Sequence, residues 1–124
     1  MKYVKFYFLS VSHNGYVPDF KMYTGEESTL RDTVYGLVGR FVGQGFHVFM
    51  DNYYNSVALA QELSENGIHV SGTLRLSRQG TPEILRYIAR YRQMAKGETV
   101  FRRNGDVFVI LWRSPVRVVS MVMN

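Results

Sequence analysis

The sequence has no cysteine, three prolines, three histidines and one tryptophan in 124 residues. Without cysteine there is no disulfide, no thiolate zinc site and no cysteine nucleophile. A small disulfide-stapled secreted scaffold is excluded as well. Long apolar runs are also missing. The longest, Val107 to Trp112, has six residues, against roughly 20 for a helix that crosses a bilayer. Lys2 and Lys5 flank the start of a short apolar stretch, but no small-residue cleavage site follows it. A first strand explains that stretch better than a leader peptide. No membrane partner is expected, and no motif points to a small-molecule substrate.

Hydrophobic residues make up 46% and charged residues 20% of the chain. These are globular values, and the length suits one folding unit with a real core. The net charge of +5 is uneven. Residues 74–103 hold eight basic residues (Arg75, Arg78, Arg86, Arg90, Arg92, Lys96, Arg102 and Arg103) and two acidic ones, Glu83 and Glu98, a net +6. The other 94 residues hold seven basic and eight acidic residues. Positive charge concentrated in this way suggests a polyanionic partner. Tyr87, Tyr91 and Phe101 interleave with it and could stack on exposed bases. The alternative is a solvated face of a helix and a hairpin.

Periodicity orders the elements. Lys2 to Ser12 reads as a strand buried on both faces, and Tyr16 to Tyr23 as its antiparallel partner across the turn His13-Asn14-Gly15. Pro18 hints at an edge or a bulge. After the polar break Thr24-Gly25-Glu26-Glu27, Ser28 or Thr29 can cap a helix, with Asp32 completing a capping box. Leu30, Val34, Leu37, Val38, Phe41 and Val42 then form one apolar helical face. Gly43-Gln44-Gly45 ends it. Phe46 to Met50 reads as a central strand. Asn55 or Ser56 caps a second helix with Leu59 and Leu63 inward, and Asn66-Gly67 stops it. Ile68 to Leu74 is then a strand parallel to the previous one. Thr81-Pro82 starts a third helix, with Ile84, Leu85, Ile88 and Ala95 inward. Asn104-Gly105 predicts a type I′ hairpin between Thr99–Arg103 and Asp106–Trp112. Ser114-Pro115 turns the chain into a last strand, Arg117 to Met123.

The richest stretch is His47 to Ser56. Asp51 follows a buried strand, at the strand end where open α/β sheets place ligands; it could equally be a turn residue. This stretch resembles the second acidic motif of piggyBac-type transposases. The resemblance continues elsewhere. Gly15-Tyr16-Val17, Phe20 and Tyr23-Thr24-Gly25 resemble the segment after the family's first acidic residue. Gly72-Thr73-Leu74-Arg75, with Arg78, Gly80 and Pro82, resembles the segment after the second. Gly105-Asp106-Val107, Trp112 and Ser120 to Asn124 resemble a later hairpin region.

The resemblance implies an α/β fold: a partial RNase H-like transposase core with a mixed sheet and flanking helices (residues 1–80), followed by a β-rich insertion or continuation segment (81–124). It implies action on DNA in the nucleus, with three aspartates holding magnesium. Two such cations roughly 3.5–4 Å apart need several converging oxygen ligands. Of the three acidic positions, only Asp51 is present. The first falls on Val11, which cannot bind a metal, and the third lies beyond Asn124. Asp51 is therefore the one residual catalytic and metal position, useful only if other segments complete the site. Asp19, Glu26, Glu27 and Asp106 read as loop or turn charges. His13, His47 and His69 lack a metal spacing, and the glycines from Gly36 to Gly45 end a helix rather than cradle a phosphate.

The expectation is a degenerate or domesticated domain, not itself an enzyme, needing no cofactor and keeping non-specific DNA affinity through the basic segment. Two alternatives stand beside it: a metal-dependent strand-transferase completed by other segments, and a protein-interaction module. Unpaired edge strands also suggest self-association.

Overall fold

The computed structural model describes residues 5–23 and 29–124. The chain forms two compact units, Met1–Val42 and Gly43–Asn124.

In the first unit, β1 (Phe6–Leu9) and β2 (Asp19–Met22) form an antiparallel two-stranded sheet with Phe6 opposite Met22 and Leu9 opposite Asp19. The pairing matches the expected hairpin; Lys2 to Val4 of the expected first strand lie outside the described residues, and among those described both strands are shorter. Pro18 has no N–H to give a ladder, and β2 begins just after it. Burial on both faces of β1 is not observed: Tyr7 is buried, whereas Phe6 and Phe8 are exposed. A two-stranded ribbon with one helix packed on it has only one covered face. That helix is α1 (Leu30–Val38), which packs on both strands and buries Val34, Leu37 and Val38. Thr29 caps it, its hydroxyl accepting from the Asp32 N–H at 3.1 Å. A 3₁₀ turn over Gly39–Phe41 follows, and Val42 is exposed rather than inward. Thr24 to Ser28, with the expected polar break and the alternative cap, lie outside the described residues.

The second unit is a five-stranded mixed sheet in the order β3-β4-β7-β6-β5. β3 (His47–Met50) pairs in parallel with β4 (His69–Thr73), and α2 (Val57–Glu65) connects them. β5 (Thr99–Asn104), β6 (Val107–Arg113) and β7 (Val118–Met123) form antiparallel ladders, and β7 closes on β4. The α/β class with a mixed sheet and flanking helices is as expected. Ser56 caps α2, accepting from the Leu59 N–H at 3.0 Å, and Gly67 leaves the helix at a φ of +72°. α2 packs against β4, β6 and β7, while α3 (Glu83–Tyr91) packs against β5. The core between helices and sheet includes Ala60, Leu85, Val109, Leu111 and Val122. The Asn124 amide reaches the carbonyls of Ala60 and Ile68 and accepts from the Val70 N–H, fastening the end of β7 to α2 and β4.

Four local expectations change. β3 lies at the sheet edge rather than its centre. Pro82, not Thr81, is the cap of α3; the Thr81 hydroxyl instead donates to the Arg78 carbonyl at 2.8 Å. Ile84 and Ala95 are exposed, and Met94 fills the core beyond the helix end. In the β5–β6 hairpin Asn104 pairs with Val107, so Gly105 and Asp106 make the turn. Gly105 has a φ of +59° and no described non-glycine residue has a positive φ. A type I′ turn needs two positive values; one, at a leading glycine, is the type II′ pattern.

Among the described residues no helix is long and apolar enough to cross a membrane.

Candidate functional site

The parallel strands β3 and β4 end side by side, and the loops that leave them carry the candidate residues. Asp51 follows β3 directly and is exposed. Its Oδ1 accepts from the Tyr53 N–H at 2.9 Å, and its carbonyl accepts from the N–H groups of Tyr54 and Asn55. This is a side-chain-closed turn of the kind aspartate favours. Asn55 is buried behind it, and its amide donates to the carbonyls of Met50 and Thr73, one at each strand end. Arg75, just past β4, reaches Asn52 Oδ1 at 3.3 Å. Arg78 donates to the Tyr53 carbonyl at 2.9 Å. The loop of the acidic motif and the start of the basic segment are thus tied together.

The eight basic residues divide by what they touch. Arg78 and Arg86 hold backbone: Arg86 donates to the carbonyls of Leu76 and Arg78 and braces the 75–81 loop from α3. Arg92 pairs with Glu98 at 2.5 Å. Arg75, Arg90, Lys96, Arg102 and Arg103 are exposed and make no ion pair among the described residues, although Arg102 and Arg103 donate to the nearby carbonyls of Phe101 and Gly105. Arg90 lies over the Tyr91 ring and Arg103 over the Phe108 ring. A shallow hollow lined by Leu76, Ser77, Arg86, Ala89 and Arg90 opens beside them.

The other acidic positions do not gather. Val11 lies in the hairpin loop of the first unit, two residues past β1, with its backbone bonded to Tyr16 and Gly15 and its side chain exposed. Asp19 begins β2 and bonds the adjacent Phe20 N–H. Asp106 occupies the β5–β6 turn. Glu26 and Glu27 lie outside the described residues. His47 and His69 sit opposite each other on β3 and β4 with ring centres 6.1 Å apart, and His47 shares a hydrogen bond with Ser71. Among the described residues no three histidine or carboxylate side chains converge on a metal position. The donor set therefore does not fit a two-cation site: Asp51 contributes one carboxylate, and one of its oxygens already serves its own turn.

The fold has a known counterpart. A cryo-EM structure of the piggyBac transposase synaptic complex with hairpin DNA superposes with a TM-score of 0.82 at 19% identity, over 97% of this chain and 26% of that one. A family model described as Transposase IS4 matches residues 2–124. The chain belongs to the piggyBac-type transposase family. It spans about a quarter of the length of the piggyBac transposase it matches. The family is of the DDE kind, usually metal-dependent.

Two features of this site are not legible from the residues. Asn55 was a candidate helix cap, yet Ser56 caps and Asn55 staples the strand ends. Arg78 and Arg86 were grouped with the solvent-facing cations, yet both are spent on backbone carbonyls. A signal for the first existed: an asparagine directly before a good cap residue is free for another bond. No signal existed for the second, because a guanidinium's partner depends on which loop lies beside it.

Proposed function

We propose that this transposase-family domain binds DNA through its backbone, without sequence preference, and does not itself cut or join strands. One observation carries the reading. The excess positive charge of residues 74–103 leaves Arg75, Arg90, Lys96, Arg102 and Arg103 exposed and without carboxylate partners among the described residues. Guanidinium and ammonium groups set out this way neutralise phosphates and release counterions. The structural relative is a transposase bound to DNA, which agrees with a DNA partner for the fold. The reading of no catalysis is supported by the oxygen-donor count: Val11 stands where the resemblance places the first aspartate, and among the described residues no further acids gather with Asp51. Family membership supports work on DNA in the nucleus.

Gel shifts with a random duplex across a salt series test the binding. Five phosphate contacts predict a slope of log affinity against log salt of about −4 to −5; affinity indifferent to salt refutes the reading. A magnesium-dependent nicking assay on duplex DNA tests the chemistry. No cleavage is expected, and cleavage that Asp51→Asn abolishes would overturn the inactive assignment.

A further inference from the structure

The helices of the second unit cover one face of its sheet. On β6 the residues Val107, Val109 and Leu111 are buried beneath them, so Phe108, Ile110 and Trp112 stand on the other face. The register brings Thr99, Phe101 and Arg103 of β5 to the same face, opposite Trp112, Ile110 and Phe108. At the far edge, His47 and Phe49 of β3 alternate onto it as well. Phe49 is 66% exposed, Phe101 57% and Trp112 45%, so three aromatic faces are open to a flat partner. A solvated strand face ordinarily carries polar side chains.

The geometry points to this uncovered face as a stacking platform for unpaired DNA bases, centred on Phe101 and Trp112. The inference rests on the DNA reading above and names the form of DNA and the surface. Three observations support it. First, the outward positions of the five strands include no aspartate or glutamate, while Arg103 lies among them. A phosphate-bearing strand suits that charge. A second copy of the same face does not, because it offers Arg103 no acid. Second, flat groups already stack here: His47 lies on Phe49 with ring centres 4.4 Å apart, and the Arg103 guanidinium lies 5.1 Å from the Phe108 ring centre. Third, Phe101 and Trp112 sit on adjacent strands at neighbouring register positions, so consecutive bases can each find a ring. A duplex keeps its base faces inside and cannot use such a surface; a single strand can.

Trp112 is the only tryptophan in the sequence, so its emission reports on this face alone. The full chain is titrated with a twelve-nucleotide oligo(dT), the corresponding blunt duplex and oligo(U). Oligo(dT) is expected to quench Trp112 with saturation. The duplex is expected to bind in gel shifts with little quenching, and oligo(U) to bind less tightly than oligo(dT). Phe101→Ala is expected to weaken oligo(dT) about tenfold or more and leave duplex affinity unchanged. Phe101→Leu, which keeps an apolar contact with Ile110, is expected to lose the same affinity, and Phe101→Tyr to keep it. Quenching by duplex equal to that by oligo(dT), unchanged oligo(dT) affinity in Phe101→Leu, or tighter oligo(U) binding each overturns the platform. So does a blue shift of Trp112 with protein concentration alone, which means a second copy covers the face. Duplex binding without oligo(dT) quenching sinks this inference and spares the DNA reading; loss of all DNA binding sinks both.

Discussion

The side-chain amide of Asn55 donates to the main-chain carbonyl of Met50 at 2.9 Å, and the same nitrogen reaches Thr73 at 2.9 Å. One buried side chain thus joins the C-terminal ends of β3 and β4, directly behind Asp51. Parallel neighbours diverge at their ends as the sheet twists, and the amide closes that gap. Asn55→Ala removes the donor and leaves two carbonyls facing a cavity. A loss of about 1–3 kcal/mol is expected, because unsatisfied buried polar groups cost that much. Denaturant unfolding followed by circular dichroism measures it; a variant as stable as the parent refutes the clamp.

Gly72 sits under the same clamp. A Cβ built there lies 1.8 Å from the Met50 carbonyl oxygen and 2.6 Å from Asn55 Nδ2. Backbone cannot yield as a flexible side chain does. Gly72→Ala is therefore expected to cost at least about 3 kcal/mol, the upper end for overpacking, and to yield little soluble protein. Wild-type melting behaviour in this variant contradicts the strand spacing.

The division among the arginines gives opposite outcomes for neighbouring residues. Arg86→Ala removes two donors from the carbonyls of Leu76 and Arg78, and a loss of about 1–3 kcal/mol of stability is expected. Arg90→Ala is expected to leave stability within about 0.5 kcal/mol and to reduce the salt slope of DNA binding by about one. Equal melting temperatures for the two variants, with equal salt slopes, rule out the division.

Asp32 has a perturbed carboxyl. Hydrogen bonds from the Thr29 side chain, opposed in part by desolvation and aided by the Thr29 backbone and the Arg31 charge, hold its carboxyl below the ordinary carboxylate value. A depressed folded value means the contribution is complete above the unfolded carboxylate range and is lost as pH falls through the lower folded one. Thr29→Ala is expected to raise the Asp32 titration midpoint toward the unperturbed value. Carbon-detected NMR titration of the side chain reads this directly, and an unmoved midpoint excludes the cap as its cause.

Legibility in the sequence followed the range of the interactions. The helix starts at Thr29 and Ser56, the stop at Asn66-Gly67 and the turn at Ser114 depend on hydrogen bonds within about four residues. Residue types place them to within one residue. The parallel β3–α2–β4 unit was legible too, because the alternation of elements leaves few ways to connect them. The Asn104-Gly105 hairpin was located but slipped by one residue, since pairing along both strands sets which two residues turn. β3 reads as central because it is apolar; its edge position depends on where β5 to β7 pair, decided some seventy residues later in the chain.

The candidate site divides in the same way. The resemblance sets Asp51 at the second motif and Val11 at the first, and residue types alone determined that the excess positive charge lies in residues 74–103. These facts are about composition at fixed positions, and folding does not alter them. Only the tertiary structure decided which cations brace a loop or meet an acid. Arg78 and Arg86 met unpaired carbonyls in a loop that packing brought beside them, and Arg92 met Glu98. It also decided which strand face is covered, because α2 and α3 lie on one side of the sheet. Long side chains find partners only after distant backbone has been placed, and no local pattern encodes that placement.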